Sequence, residues 1–281
     1  MIPVGAGPVP GSAAELAQRA TAALVEAMKL GPEHVTVEAE MSGEESVDRL
    51  AIDLSHTVLD ARHLTPDASS WRPPTSSQGG APVTVRSLRV TGLPVVVFGA
   101  PVSAQFEAAN VPAAWARDGQ ARLWLAFQDA SSSAAPASGR ALIEGDVAAA
   151  AAAGAAMASE VASQKGVSLR DVRIVPTSAG RNRVRVDIQA KASKGFLSSQ
   201  VTAYAEVRVD DALVLHVDAL HAEAGGFIGK MAGGVIEKYL RAWQHRQIPL
   251  TRESFAGARL TGLEIDVDVN GPFRVAATLG G

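Results

Sequence analysis

Five arginines crowd the short stretch RDVRIVPTSAGRNRVRV: Arg170, Arg173, Arg181, Arg183 and Arg185. A guanidinium presents a planar fork of N–H donors that matches a phosphate, so such a run can act as an anion patch. Arg86 and Arg89, earlier in the chain, would add to it. The plainer reading is the wet side and turn of a hairpin, where alternate residues face water. On the functional reading, Arg181, Arg183 and Arg185 contact a phosphorylated head group.

Other residue types point away from catalysis. The six histidines form no HExxH or similar ligand motif. His216 and His221 lie five apart in a strand-like run, which should turn them to opposite faces, so no shared metal is expected. His56, Asp60 and His63 converge only if the chain turns there, and would be the first place to look for an enzyme site assembled from distant residues. Asp266 and Asp268, with Glu264 beside them, alternate with Leu263, Ile265 and Val267, the pattern of a solvated outer face. GAGPVPG at 5–11 resembles a phosphate loop only in its glycines. Its prolines remove amide donors a phosphate would need, so residues 1–11 read as a flexible N-terminal tail. No GxSxG elbow occurs, and the absence of cysteine removes disulfides, zinc ribbons, iron–sulfur clusters and thiol nucleophiles. A net charge of −3 argues against general nucleic-acid binding, which needs a basic face. No cofactor is called for, and no residue demands an enzyme.

The elements that would position these residues follow from periodicity. Ser12 and Glu15 fit a capping box before Leu16, Ala20, Ala23, Leu24, Ala27 and Met28 at helical spacing, with Gly31 and Pro32 as the stop. Alternation over Leu50, Ile52 and Leu54 predicts a strand. TPDASSWRPPTSSQGGAP at 65–82 reads as a loop, and VTVRSLRVTG restores alternation. DASSSAAPASG at 129–139 is the candidate linker between two pseudo-repeated halves, about 12–128 and 140–281, of one domain. Asp146 caps a second predicted helix to about Lys165. Val184, Val186 and Ile188, then Val201 to Val209, then Leu213 to Ala219 give three strands, each with one apolar face. A third helix is predicted over 227–243, and LEIDVDV, NGP and FRVAATL make a closing hairpin.

LPVVVFGAPV at 93–102 breaks this pattern. Four consecutive apolar residues make both faces of any strand apolar, and Pro94 and Pro101 cannot both sit inside a central ladder. Either a helix covers the second face, or the stretch lines an apolar cavity or its mouth.

VDRLAIDLSHTVLDARHL followed by APVTVRSLRVTG, the segment SGRALIEGDVAAAAAAG, and the ending RLTGLEIDVDVNGPFRVAATLGG together resemble the LmeA-like phospholipid-binding family of bacteria. The likeness covers most of the chain from about residue 35 onward. It implies a relation in shape to the tubular lipid-binding (TULIP) fold and phospholipid binding at the cell envelope. The expected fold is therefore α+β, with long curved antiparallel sheet packed on three helices. The expected lining is Val95, Val97 and Phe98 from the hairpin and Val186, Ile188, Val207 and Leu215 from the strands. Phe227, Ile228, Met231 and Val235 complete it from the third helix. The expected partners are a phospholipid or other acyl-chain ligand and a transiently touched membrane, with no nucleic acid. A filled-core structural or interaction module is the rival reading. The N-terminus MIPVGAGPVPGSAAE has no basic region and no apolar stretch of signal length, so the chain is expected to be soluble, cytoplasmic or a trimmed envelope protein.

Overall fold

The computed structural model describes residues 1–59, 80–128, 136–164, 166–194, 197–225, 246–252, 254–255, 258–269 and 271–280. The chain opens with β1 (Ile2–Gly5) and α1 (Ala13–Met28). Ser12 Oγ accepts the amide of Glu15 at 3.3 Å, and Glu15 Oε2 accepts the amide of Gly11 at 3.0 Å, so the capping pair closes one residue earlier than in the standard box. Lys29, left-handed at φ 54°, ends the helix. The amphipathic spacing turns Leu16, Ala20, Ala23 and Leu24 into the core.

Residues 2–5 are not the flexible tail expected over 1–11. β1 pairs antiparallel with β7 (Leu123–Phe127), Ile2 lies opposite Leu125, and Val4 is fully buried. Four residues are too few for alternation to show in a sequence. In the glycine-rich loop that follows, two carbonyls are used: Gly7 O accepts from Arg117 and Pro8 O from Arg19.

The first sheet has eleven strands. β2 (Thr36–Gly43) and β3 (Ser46–Asp53) form a hairpin, and β3 and the short β4 (Val58–Leu59) run parallel to β5 (Ala81–Val97). β5 pairs along its length with β6 (Ala100–Arg117). The other edge of β6 is divided, carrying β8 (Ser138–Asp146) along 102–109 and β7 along 113–117. β16 (Pro272–Gly280), β15 (Ala258–Val267) and β14 (Ser254–Phe255) extend the sheet beyond β8.

α2 (Val147–Gln164) begins where β8 ends, with Asp146 Oδ1 accepting the amide of Ala149 at 2.7 Å. The second sheet follows: β9 (Ser168–Gly180), β10 (Arg183–Lys194), β11 (Leu197–Val209), β12 (Val214–Ala224) and β13 (Gln247–Pro249), in spatial order 13-12-11-10-9. Every pairing in it is antiparallel.

LPVVVFGAPV is the tip of the β5–β6 hairpin. Phe98 and Gly99, at φ 50° and 88°, form a two-residue turn whose doubly positive φ matches the strand twist. Leu93 and the cis-linked Pro94 sit in the bulge between Gly92 and Val95. Pro101 lies on β6 one residue before β8 begins to pair, so neither proline interrupts a two-sided ladder.

The expectation of sheet packed on three helices is corrected. Strands make up 64% and helix 17%, and the described residues contain two α-helices, so sheet, not helix, does most of the covering. α1 seals the core shared by β1, β2, β3, β5, β6 and β7, with Leu16, Leu50, Val47, Val85 and Val111 among its fully buried members. A second core lies between the sheets, where Val209 and Leu213 meet Leu260 and Leu279. The predicted helix over 227–243 lies outside the described residues.

The β6–β7 turn hangs on Asp118, whose side chain is 3% exposed. Burial pushes its carboxyl up, but donation from the Trp124 indole (3.1 Å), the amides of Arg122 and Gln120 and the Arg122 Nε (2.8 Å) outweighs this and holds it below the usual carboxylate range. A depressed folded-state pKa stabilises above the unfolded value, near pH 4, and that stability is lost as pH falls through the folded value. Asp118→Asn should cost about 2 kcal/mol at neutral pH, with the gap to wild type closing in urea melts below about pH 4. A gap independent of pH would show that the ionised carboxylate is not what the turn holds.

Candidate functional site

The strand register of the second sheet gathers its apolar residues on one face in three rows. Ile174, Ile188, Ala203 and Ala222 form the first, and Pro176, Val186, Ala205 and Leu220 the second. The third carries Val184, Val207 and Val217. A Cβ placed on Gly154 of α2 would sit 3.2 Å from Ile174 Cδ1, so this is the face on which the helix packs. All but Val217 are only half-buried, whereas the same residue types in the first sheet's core are sealed. The alanine-rich α2 is a thin cover.

The first sheet answers with an apolar face of its own. Ile265, Val275, Ile143 and Ala104 stand side by side across β15, β16, β8 and β6. At one end the two faces close on each other in the inter-sheet core, which Phe106, Leu215, Leu263 and Ala277 flank. Away from that end the first sheet's face opens, and Ile143 is 41% exposed. Packed aliphatics thus join the two apolar faces at one end, and α2 runs against β9, β8 and β6.

Asn182 fastens the seam. Its Nδ2 donates to Leu263 O and its Oδ1 accepts the Ile265 amide, both at 2.9 Å, joining the β9–β10 turn to the backbone of β15. The residue is left-handed (φ 52°), a conformation that asparagine tolerates better than most.

The expected lining residues fall in different places. Val186, Ile188 and Val207 share the half-buried face, and Leu215 flanks the inter-sheet core. Val95 is buried beside Gly92, while Val97 and Phe98 are half-buried at the hairpin tip. Phe227, Ile228, Met231 and Val235 lie outside the described residues, as do Asp60 and His63.

The arginines point elsewhere. Alternation puts Arg183 and Arg185 on the opposite face of β10 from Val184, Val186 and Ile188, each with a carboxylate partner, Glu206 and Asp187 respectively. Arg185 also lies 4.5 Å over the Tyr204 ring, a favourable cation–π position. Its pairing with Asp187 holds the guanidinium up and the carboxyl down. Arg181, exposed in the turn, borders a cleft of about 260 Å³ with Glu264, Asp266 and Arg274. The expectation for the histidines also changes. A bulge at Asp218 restores phase, so His216 opposite Arg208 and His221 opposite Tyr204 share the outer face. Each has its own acid, Asp210 at 2.7 Å and Glu223 at 3.0 Å, and no metal-type cluster occurs among the described residues.

One feature had no signal in the sequence. An open groove of about 800 Å³ crosses the outer face of the first sheet, bordered by Arg49, Arg89, Arg140 and Glu107 over Ser87, Ala109 and Ser138. Its arginines are scattered over ninety residues of chain and meet only through strand register.

No protein-family model, curated protein or solved structure matches the chain. Among the described residues, no helix is long and apolar enough to cross a membrane. The site therefore rests on its geometry. If Asn182 holds the second sheet to β15, Asn182→Ala should cost about 2–3 kcal/mol, combining two lost buried hydrogen bonds with left-handed strain. Asn182→Gly should cost less, because glycine relieves the strain alone. Denaturant melts that fail to separate the two variants from wild type would remove Asn182 from this role.

Proposed function

We propose that the protein binds a phospholipid or other acyl-chain lipid between the apolar faces of its two sheets. The observation that carries this reading is the half-buried state of the aliphatic rows centred on Val186 and Ile188, where the residues of the core under α1 are sealed. Water against such a face is unfavourable, and an alkyl chain laid there gains about 0.8 kcal/mol for each methylene buried. Aliphatic side chains without flat stacking platforms suit a flexible tail better than a rigid aromatic ligand. Alanine at most positions of α2 leaves room beneath the helix for such a chain. A binder of this kind works by burial and release, and needs no nucleophile or metal.

Lipid handling also accounts for the division of charge. The ion-paired outer face of the second sheet, with Arg208–Asp218 and Arg183–Glu206, stays in water while the opposite face takes the tail. The arginines of that face keep their carboxylate partners, which leaves Arg181 in its turn as the one of the three expected head-group residues with no ion-pair partner among the described residues.

The test is native mass spectrometry of the purified chain before and after incubation with phospholipid vesicles. Wild type should carry stoichiometric lipid, and Val186→Trp or Ile188→Trp should reduce its occupancy by about tenfold, since filling the face with indole removes the space for several methylenes. A clean protein mass under both conditions would overturn the proposal. So would lipid retention untouched by either tryptophan.

A further inference from the structure

The groove on the outer face of the first sheet exists because the sheet is broken beneath it. Val85 and Val111 are opposite and buried, and so are Leu88 and Ala108, but three residues separate each pair along its strand instead of two. Both strands therefore turn their pleat over at the same level, with Asn110 left-handed at φ 54°. Just past the break, the outer row reads Ser87, Ala109, Ser138, a floor of small side chains. The next outer row is Arg89, Glu107, Arg140 and Thr278.

The charges of this row do not balance. Arg86 meets a carboxylate of its own in Asp48, and Arg274 in Glu144. Here two converge on one. Arg89 Nη2 lies 2.8 Å from Glu107 Oε1, while Arg140 reaches Oε2 through Nε at 2.9 Å and Nη2 at 2.7 Å. Hydrogen bonding from Arg140 and the nearby Arg89 hold the Glu107 carboxyl below its ordinary value, so it stays ionised and does not relieve the excess by taking a proton. Arg49, on the groove's rim, is held only loosely at 3.5 Å by Glu38 and Glu40. Three guanidiniums thus border the groove with one carboxylate among its lining residues, next to the hydroxyls of Ser87, Ser138 and Thr278.

We propose that this groove binds an anionic group, a phosphate or a carboxylate, held by Arg89 and Arg140 with Arg49 at its rim. Forked guanidinium donors already oriented by a shared carboxylate suit a tetrahedral or planar oxyanion, and the hydroxyls supply further donors. The site lies on the far side of the sheet from the proposed lipid face and does not depend on that reading. The anion can come from a soluble phosphorylated molecule or from the head group of an anionic lipid in a membrane.

The test titrates the full chain with inorganic phosphate against chloride at matched ionic strength, by calorimetry. In parallel, flotation is measured with phosphatidylglycerol vesicles against phosphatidylcholine vesicles. Arg89→Gln and Arg140→Gln should each weaken binding at least about fivefold, and Arg140→Lys should fall between, keeping charge but losing the fork. Arg173→Gln, on the exposed outer face of the second sheet, should change nothing. All three groove substitutions sit at exposed side chains, so circular dichroism should match wild type. Calorimetric binding of phosphate that these variants weaken assigns a soluble anion. Arg140-dependent flotation on phosphatidylglycerol without phosphate binding assigns a membrane head group. No binding of either probe by wild type, or binding indifferent to Arg89 and Arg140, overturns the proposal.

Discussion

A strand of eighteen residues cannot serve two neighbours on one edge without a place to change direction, and in β6 that place is Asn110. On one side of it β6 holds β8 and through β8 the closing hairpin; on the other it holds β7 and through β7 the N-terminal strand. The reversal of pleat at this level hands the buried face from Val85 and Val111 to Leu88 and Ala108 without a shift of register between β5 and β6. The sealed core under α1 spans this level, with Val85 and Val111 on one side of it and Leu88 and Ala108 on the other, and Phe106 packs against both this core and the inter-sheet one. The outer groove is the same break seen from the solvent side. Losing the break would therefore reach the core under α1, the inter-sheet core through Phe106, and the groove together.

The second sheet is attached more sparingly. A handful of aliphatic residues and the two hydrogen bonds of Asn182 hold it to β15, and α2 ties its β9 edge back to the end of β8. Such an attachment leaves most of its apolar face half-buried, and apolar surface left against water is unfavourable unless something else covers it. Its outer face has no such deficit. There Arg183, Arg185 and Arg208 meet Glu206, Asp187 and Asp218, and Tyr204 stacks between Arg185 and His221. Exposed pairs like these add little stability. They do make one face of this sheet wet and leave the other apolar.

Local rules carried the reading of the chain a long way. The cap at Ser12, the cap at Asp146 and the strict alternation from Val184 to Val209 all correspond to elements in the structure, because each depends on residues within a turn or a strand of one another. The failures have a common cause in pairing. β1 has too few residues to show a period, and it is a strand only because β7 accepts it. His216 and His221 share a face because of one bulged residue, which shifts phase without leaving a mark in residue type. The groove was illegible for the same reason, since Arg49, Arg89 and Arg140 become neighbours only through the register of β3, β5, β6 and β8.

The hairpin tip shows how composition can mislead even where the elements are read correctly. Four apolar residues in a row, Val95 to Phe98, imply a strand apolar on both faces, and a helical cover or a cavity wall is the natural inference. The structure meets the demand differently. Val95 turns inward against Gly92, where any larger residue would collide with it, and the parallel β4 covers the edge by accepting the amides of Val96 and Phe98. Leu93, carried out on the bulge, is left 42% exposed, as Val58 is at 54% on β4. An apolar run is thus divided among a core, a strand edge and a surface within ten residues. The rows on the second sheet are different in kind: they repeat across its strands, share one face and remain half-buried at every position but Val217. That persistence across independent strands, rather than hydrophobicity at any single position, sets the face of Val186 and Ile188 apart from LPVVVF.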